Sequence, residues 1–130
     1  GSMEEISYIV MGIGVNVKTK QEELPEEIKQ IATSLLMEGV DIERTEAFKI
    51  ILEELEHQYY DVLDSGFEDT LNEWRKLSVT LNQEIEVRAP GNTYEGVATD
   101  IDDDGNLLVK TTNGEVKRIV AGDVSIRPRK

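Results

Sequence analysis

The chain contains no cysteine and only one histidine in 130 residues. A disulfide framework and thiolate metal ligation are therefore excluded, and one imidazole with no second histidine beside it cannot build a zinc site. Basic residues are scarce. Fourteen Lys and Arg against 27 Asp and Glu give a formal net charge of −13, which argues against nucleic acid as a partner of this segment, because phosphate binding needs clustered cations. No apolar run approaches the ~20 residues that cross a bilayer, and no basic n-region with a cleavage site opens the chain, so a soluble cytoplasmic protein without membrane contact is expected. A phosphate loop, a nucleophile elbow and a dinucleotide fingerprint are also missing.

What is present is 38% hydrophobic and 32% charged residues, the balance of a soluble globular chain. The length suits one domain, or one small domain joined to part of another. Gly1-Ser2-Met3 looks like a protease scar ahead of an initiator methionine, so residues 1–3 are set apart and the remainder is read as a piece of something longer. Charge is uneven. Through Gly105 there are 25 acidic and 8 basic residues, whereas from Asn106 onward there are 2 acidic and 6 basic, among them Lys110, Lys117, Arg118 and Arg127. This cationic tail suits an anionic small molecule or offsets the acidic body across an interface.

The run Tyr8–Val17, YIVMGIGVNV, is the longest nearly uncharged stretch, and its β-branched content predicts a buried strand. On a strand Gly12, Gly14 and Asn16 share one face, and Met11, Ile13, Val15 and Val17 share the other. The first face is then a bare backbone shelf with an amide at its end. Two glycines in register there mean close approach of a packed helix or of a ligand, and spacing alone leaves both readings open.

Three helices are expected next. Pro25 sits where a first turn accepts proline, with Glu26 and Glu27 at the positive end; Ile28, Ile31, Ala32, Leu35 and Leu36 form one stripe, and Gly39 suits the C′ position. Asp41 is the expected N-cap of a longer helix carrying Phe48, Ile51, Leu52, Leu55, Tyr59, Val62 and Leu63, ending at Gly66. Phe67, Leu71, Trp74 and Leu77 predict a third.

After Ser78 the period changes from 3.6 to 2. Ile85 and Val87 alternate with charged residues, Pro90-Gly91-Asn92 turns the chain, and strands are expected over Tyr94–Ile101, Leu107–Thr112, Glu115–Val120 and Val124–Arg127. Asn113-Gly114 predicts a type I′ hairpin turn with both residues at positive φ. Five short strands in so small a unit point to a strongly bent barrel, with the boundary near Leu81–Asn82: residues 4–81 in one part, 82–130 in the other. Asp100, Asp102, Asp104 and Gly105 copy the opening of a calcium loop, yet its twelfth position is Thr111 and its flanks read as strands. The expectation is an acidic turn with Gly105 at positive φ. His57 is read as a helix-surface residue, and no metal site is expected.

Taken in order, YIVMGIGVNV, LPEEIKQIATSL, EHQYYDVLDSGF, NEWRKLSVTL, QEIEVR and EGVATDIDDDGNLLVKTTNGEVKRIVAGDVSIR resemble the C-terminal part of a bacterial biotin protein ligase. The resemblance covers nearly the whole chain after residue 3. It implies an α+β arrangement, the end of an α/β catalytic domain followed by a five-stranded Src-homology-3-type barrel. It also implies a parent that activates biotin with ATP and magnesium to biotinyl-5′-adenylate and passes biotin to a lysine of biotin carboxyl carrier protein. Gly12, Gly14 and Asn16 fall on the family's strand beside the biotin and adenylate site, and Asp123 and Arg127 on its nucleotide-reaching barrel strand. Asn82 stands where the family usually has glycine. The family's arginine- and glycine-rich biotin loop and its catalytic lysine motif are absent, so no catalytic residue is assigned and the chain alone is expected to be inactive and to hold no ligand. A homodimer or domain swap through Tyr8–Val17 is a further expectation. The competing reading is a non-catalytic protein-binding module, a helical platform plus small barrel.

Overall fold

Alternation of apolar and charged residues from Glu84 onward produces the best-packed part of the molecule. In the computed structural model, which describes residues 6–120 and 125–128, this part is a five-stranded antiparallel sheet: β1 (Glu84–Ala89), β2 (Asn92–Ile101), β3 (Leu107–Thr111), β4 (Val116–Ile119) and β5 (Ser125–Pro128). The strand order is β4-β3-β2-β1-β5. Its inner face buries Ile85, Val87, Ala98 and Val109, against which Leu81, Tyr94, Leu107, Ile119 and Ile126 pack. The expected α+β class and small Src-homology-3-type layout are found, with strand ends differing by at most two residues.

β2 is the longest strand and carries two local devices. Gly96 faces Ile85 on one side and Thr111 on the other. A β-carbon there would lie 2.6 Å from the Lys110 carbonyl oxygen and 2.6 Å from Val109 Cγ1, so only glycine lets the strands approach this closely. Two residues later the register slips between Ala98 and Asp100, leaving Thr99 as the extra residue of a bulge that bends the sheet. Below it, Asn82 occupies the left-handed region at φ 66° and donates its N–H to Ala98 O, so asparagine does there what glycine would do.

The β3–β4 connection departs from expectation. Gly114 has φ 86°, but Asn113 does not share the positive φ that a type I′ turn requires. Gly114 N–H bonds Thr111 O, Thr111 N–H bonds Glu115 O, and Lys110 pairs with Val116. The loop is therefore three residues, a type I turn closed by a left-handed glycine. The Asn113 side chain decides this: its Oδ1 accepts from the Thr111 hydroxyl and from Glu115 N–H, holding Asn113 on the right-handed side. The acidic turn forms as read, with Gly105 at φ 82°; Asp102 Oδ1 accepts the N–H groups of Asp104 and Asn106.

Helix α1 (Arg44–Ser65) and helix α2 (Glu68–Leu77) correspond to the second and third expected helices, separated by Gly66 at φ 78°. The α1 start is two residues later than an Asp41 cap requires, because Asp41 lies 3.8 Å from Lys18 and the Glu43 carbonyl accepts the first N–H, from Ala47. His57 is exposed, 3.4 Å from Asp61 one turn on. Helix α2 is joined to β2 by Arg75, whose Nε donates to Asp100 Oδ1 at 2.8 Å and whose Nη2 donates to Ile101 O at 3.0 Å.

The first expected helix does not form. Residues 21–23 and 26–28 are single 3-10 turns, and Thr33 to Ser34 breaks the period. The physical reason is a competing set of partners: Leu35 N–H bonds Asn16 O and Leu36 N–H bonds Val17 O, so the donors a helix needs are spent across nineteen positions of sequence. Gly39 still closes its turn at φ 91°, with Val40 N–H on Leu35 O. Tyr8–Val17 is likewise not a buried strand. Residues 6–15 are exposed and make no backbone hydrogen bond among the described residues, since no neighbouring strand offers a ladder. The chain divides into two units, one ending at Glu56 and one beginning at His57, and α1 is continuous through that division.

Two outcomes test this account. Gly96→Ala should destabilise the sheet unit by about 1–3 kcal/mol through overpacking, whereas Gly114→Val, in open space, should cost about 1 kcal/mol from backbone strain alone; urea denaturation orders the two. The second concerns pH. The Arg75 hydrogen bond, then the Ile101 N–H, holds the Asp100 carboxyl below the usual carboxylate range, against a smaller opposing effect of desolvation. A depressed folded value stabilises above the unfolded one and is lost as pH falls through the folded value. Arg75→Met should therefore unfold at lower urea than the parent at pH 7, with the gap narrowing below about pH 4; a gap constant with pH would exclude the ion pair as its source.

Candidate functional site

The uncharged run keeps the two-faced character its alternation implies. Met11, Ile13, Val15 and Val17 line one wall of an open groove of about 830 Å³, and Ala47, Phe48, Ile51, Leu52 and Leu55 of α1 line the other. The opposite face is bare at Gly12 and Gly14, where an added β-carbon would meet nothing within 4 Å. Asn16, at the end of the shelf, donates its Nδ2 to Thr33 O at 3.1 Å.

That bond belongs to a staple. Leu35 and Leu36 N–H groups reach Asn16 O and Val17 O at 2.9 and 3.0 Å, and the Ser34 hydroxyl donates to Thr19 O at 2.5 Å while accepting Met37 N–H. Ser34 is 3% exposed, a buried polar group fully paired. At the mouth of the groove Lys18 Nζ lies 2.5 Å from Glu43 Oε1. The hydrogen bond to Glu43 raises the Lys18 pKa, desolvation opposes this, and the charges of Glu43 and Asp41 add to the rise. Sequence reasoning missed this pair, whose members are 25 residues apart.

In the second unit Arg127 sits on β5 opposite Glu86 of β1, its side chain exposed and donating from Nη1 to Ile126 O. Asp123 lies outside the described residues. Two other cations of the tail are engaged within the sheet: Lys117 Nζ stands 4.4 Å from the Tyr94 ring centre, and Arg118 lies 3.7 Å from Asp102. Burial pushes the Tyr94 phenol up. Gly12, Gly14 and Asn16 are thus together in the first unit, and Arg127 is in the second. Among the described residues no group of three or more His, Asp or Glu is placed to hold a metal ion, and no helix is long and apolar enough to cross a membrane.

Residues 80–127, all of the sheet but its last residue, match the family described as biotin protein ligase C terminal domain. Over 124 residues the chain is 32% identical to the Bifunctional ligase/repressor BirA of Bacillus subtilis, and equally to that of Bacillus spizizenii, which spans 95% of this chain. The chain matches the C-terminal part of a biotin protein ligase. It spans 38% of the length of these ligase relatives. Among solved structures, the apo biotin protein ligase of Aquifex aeolicus superimposes with a TM-score of 0.76 at 24% identity, over 88% of this chain and 50% of that one. The Aquifex aeolicus biotin protein ligase in complex with biotin and ATP gives 0.74 at the same identity and coverage of this chain. Likeness at that identity shows the fold alone.

Proposed function

We propose that this chain is the C-terminal segment of a ligase that activates biotin with ATP to biotinyl-5′-adenylate and transfers biotin to a lysine of biotin carboxyl carrier protein. The observation that carries the reading is the 32% identity to the Bacillus ligase/repressors over 95% of the chain. The geometry supports roles for particular residues. Gly12 and Gly14 leave a shelf with open space above the backbone, which a flat ligand can approach closely. Asn16 holds the end of the shelf to Thr33. Arg127 supplies an exposed guanidinium, suited to the phosphate or the charge that develops in adenylate formation, and the resemblance gives Asp123, outside the described residues, a role toward the same nucleotide.

Adenylate formation needs positioned cationic groups on the phosphates; the groove of the first unit is lined by two cations, Lys18, paired with Glu43, and Arg44, and the arginine- and glycine-rich loop and lysine motif that the resemblance calls for do not occur in the sequence. The chain by itself is therefore assigned no turnover, biotin and magnesium-ATP being substrates of the complete ligase in the cytoplasm.

In the full-length ligase, Gly14→Val should abolish tight biotinyl-adenylate binding, since the side chain fills the space above the shelf. Arg127→Ala should lower ATP affinity about ten- to a hundredfold, the value of a charge-assisted hydrogen bond, with biotin affinity nearly unchanged. Calorimetric titration of biotin and of ATP into each variant reads both. Equal loss of the two ligands in Arg127→Ala, or loss of neither, would remove β5 from the nucleotide site, and intact adenylate binding in Gly14→Val would make the glycines packing residues only.

A further inference from the structure

The outward face of β1 gathers charge beside β5. Glu86 stands opposite Glu95 of β2 on one side and opposite Arg127 of β5 on the other, so the three form one row across the sheet. Ile85 and Val87, which alternate with Glu86, are buried, and the row therefore faces outward. Arg88, two residues along on the same face, has Ser125 as its own partner on β5 and is diagonal to Arg127. Glu86 thus stands between two guanidinium groups. The pair it makes is with Arg88, whose Nε donates to Glu86 Oε1. The exposed Arg127 instead directs Nη1 to the carbonyl of Ile126, an acceptor without formal charge, and so keeps its own charge for an anion.

We propose that Arg88 is a positioning residue for Arg127: by holding the Glu86 carboxylate it keeps that carboxylate from closing onto Arg127, and so leaves the Arg127 guanidinium to a nucleotide phosphate. The proposal rests on the nucleotide reading of β5 given above. Facing residues of paired strands have β-carbons about 5 Å apart, so a glutamate reaches a facing arginine by side-chain rotation alone, and opposite charges placed this way attract. Glu95, a like charge facing Glu86 from β2, favours the carboxylate turning away from β2 and toward the arginines. With Arg88 in place, two arginines and one glutamate leave a net positive charge at this corner of the sheet. Without the Arg88 charge, Arg127 becomes the cation that faces Glu86, and a phosphate has to displace a carboxylate already in position. Arg88 itself touches no ligand in this arrangement.

The test uses the full-length ligase, with ATP and biotin titrated separately by calorimetry. Arg88→Gln should lower ATP affinity about two- to fivefold, the size of an exposed ion pair, with biotin affinity unchanged. Adding Glu86→Gln to that variant should restore ATP affinity, because a neutral amide offers Arg127 no charge, and Arg88→Lys should retain it, because lysine still pairs with Glu86. Restoration separates positioning from a structural role, since packing lost at residue 88 is not repaired by a second substitution. Arg127→Ala, measured in parallel, separates the proposal from the reading beneath it. If Arg127→Ala lowers ATP affinity while Arg88→Gln does not, or if Glu86→Gln fails to restore the Arg88→Gln variant, the positioning role is overturned and the nucleotide reading stands. If Arg127→Ala leaves ATP affinity unchanged, the nucleotide reading of β5 falls and the positioning role falls with it.

Discussion

The second unit depends on how closely three strands can approach at Gly96. With no side chain at that point, the Lys110 carbonyl and the Val109 methyl come within 2.6 Å of where a β-carbon would be, and Ile85, Val87 and Val109 can close over a shared interior. The neighbouring positions on β2 extend the same logic. Ala98 is small and fully buried, Thr99 is the bulge, and Asp100 and Ile101 receive Arg75 from α2. One ten-residue strand therefore sets the packing distance, the bend and the attachment of the helix.

How much of this is legible in the sequence depends on where each group finds its partner. The strands from Glu84 onward are readable because the first four pair with neighbours in sequence, β5 alone reaching back to β1, and the period-two burial is local. The Asn113-Gly114 turn is only half readable: its place is given, but the Asn113 amide, by bonding Thr111 and Glu115, selects a three-residue loop over the two-residue one. The stripe from Ile28 to Leu36 has a helical period and yet is not a helix, because the Asn16 and Val17 carbonyls capture its donors. Asp41 has the chemistry of a cap and instead neighbours Lys18. Of the candidate site, the division of Tyr8–Val17 into a bare face and an apolar face was legible from alternation. The pairs Lys18–Glu43 and Arg75–Asp100, each 25 residues apart, left no local trace.

The two units are held by different physics. The second has a contiguous apolar interior, whereas among the described residues of the first few are buried, Leu24, Ser34 and Ala47. Its order near the shelf rests on backbone and hydroxyl hydrogen bonds between residues 16–19 and 33–37. Such a segment has little apolar burial to oppose local opening, so the shelf sits at the low end of the stability range, where ligand-responsive elements are found.

The Arg75 clamp has a neighbour that makes the division between units visible. Trp74 is the chain's single tryptophan, part-exposed on α2 and adjacent in sequence to the arginine that joins this helix to β2. Intrinsic indole fluorescence is thus a property of the second unit alone. Emission monitored during denaturation follows the sheet and its helix, and is blind to whether the glycine shelf is ordered, occupied or paired.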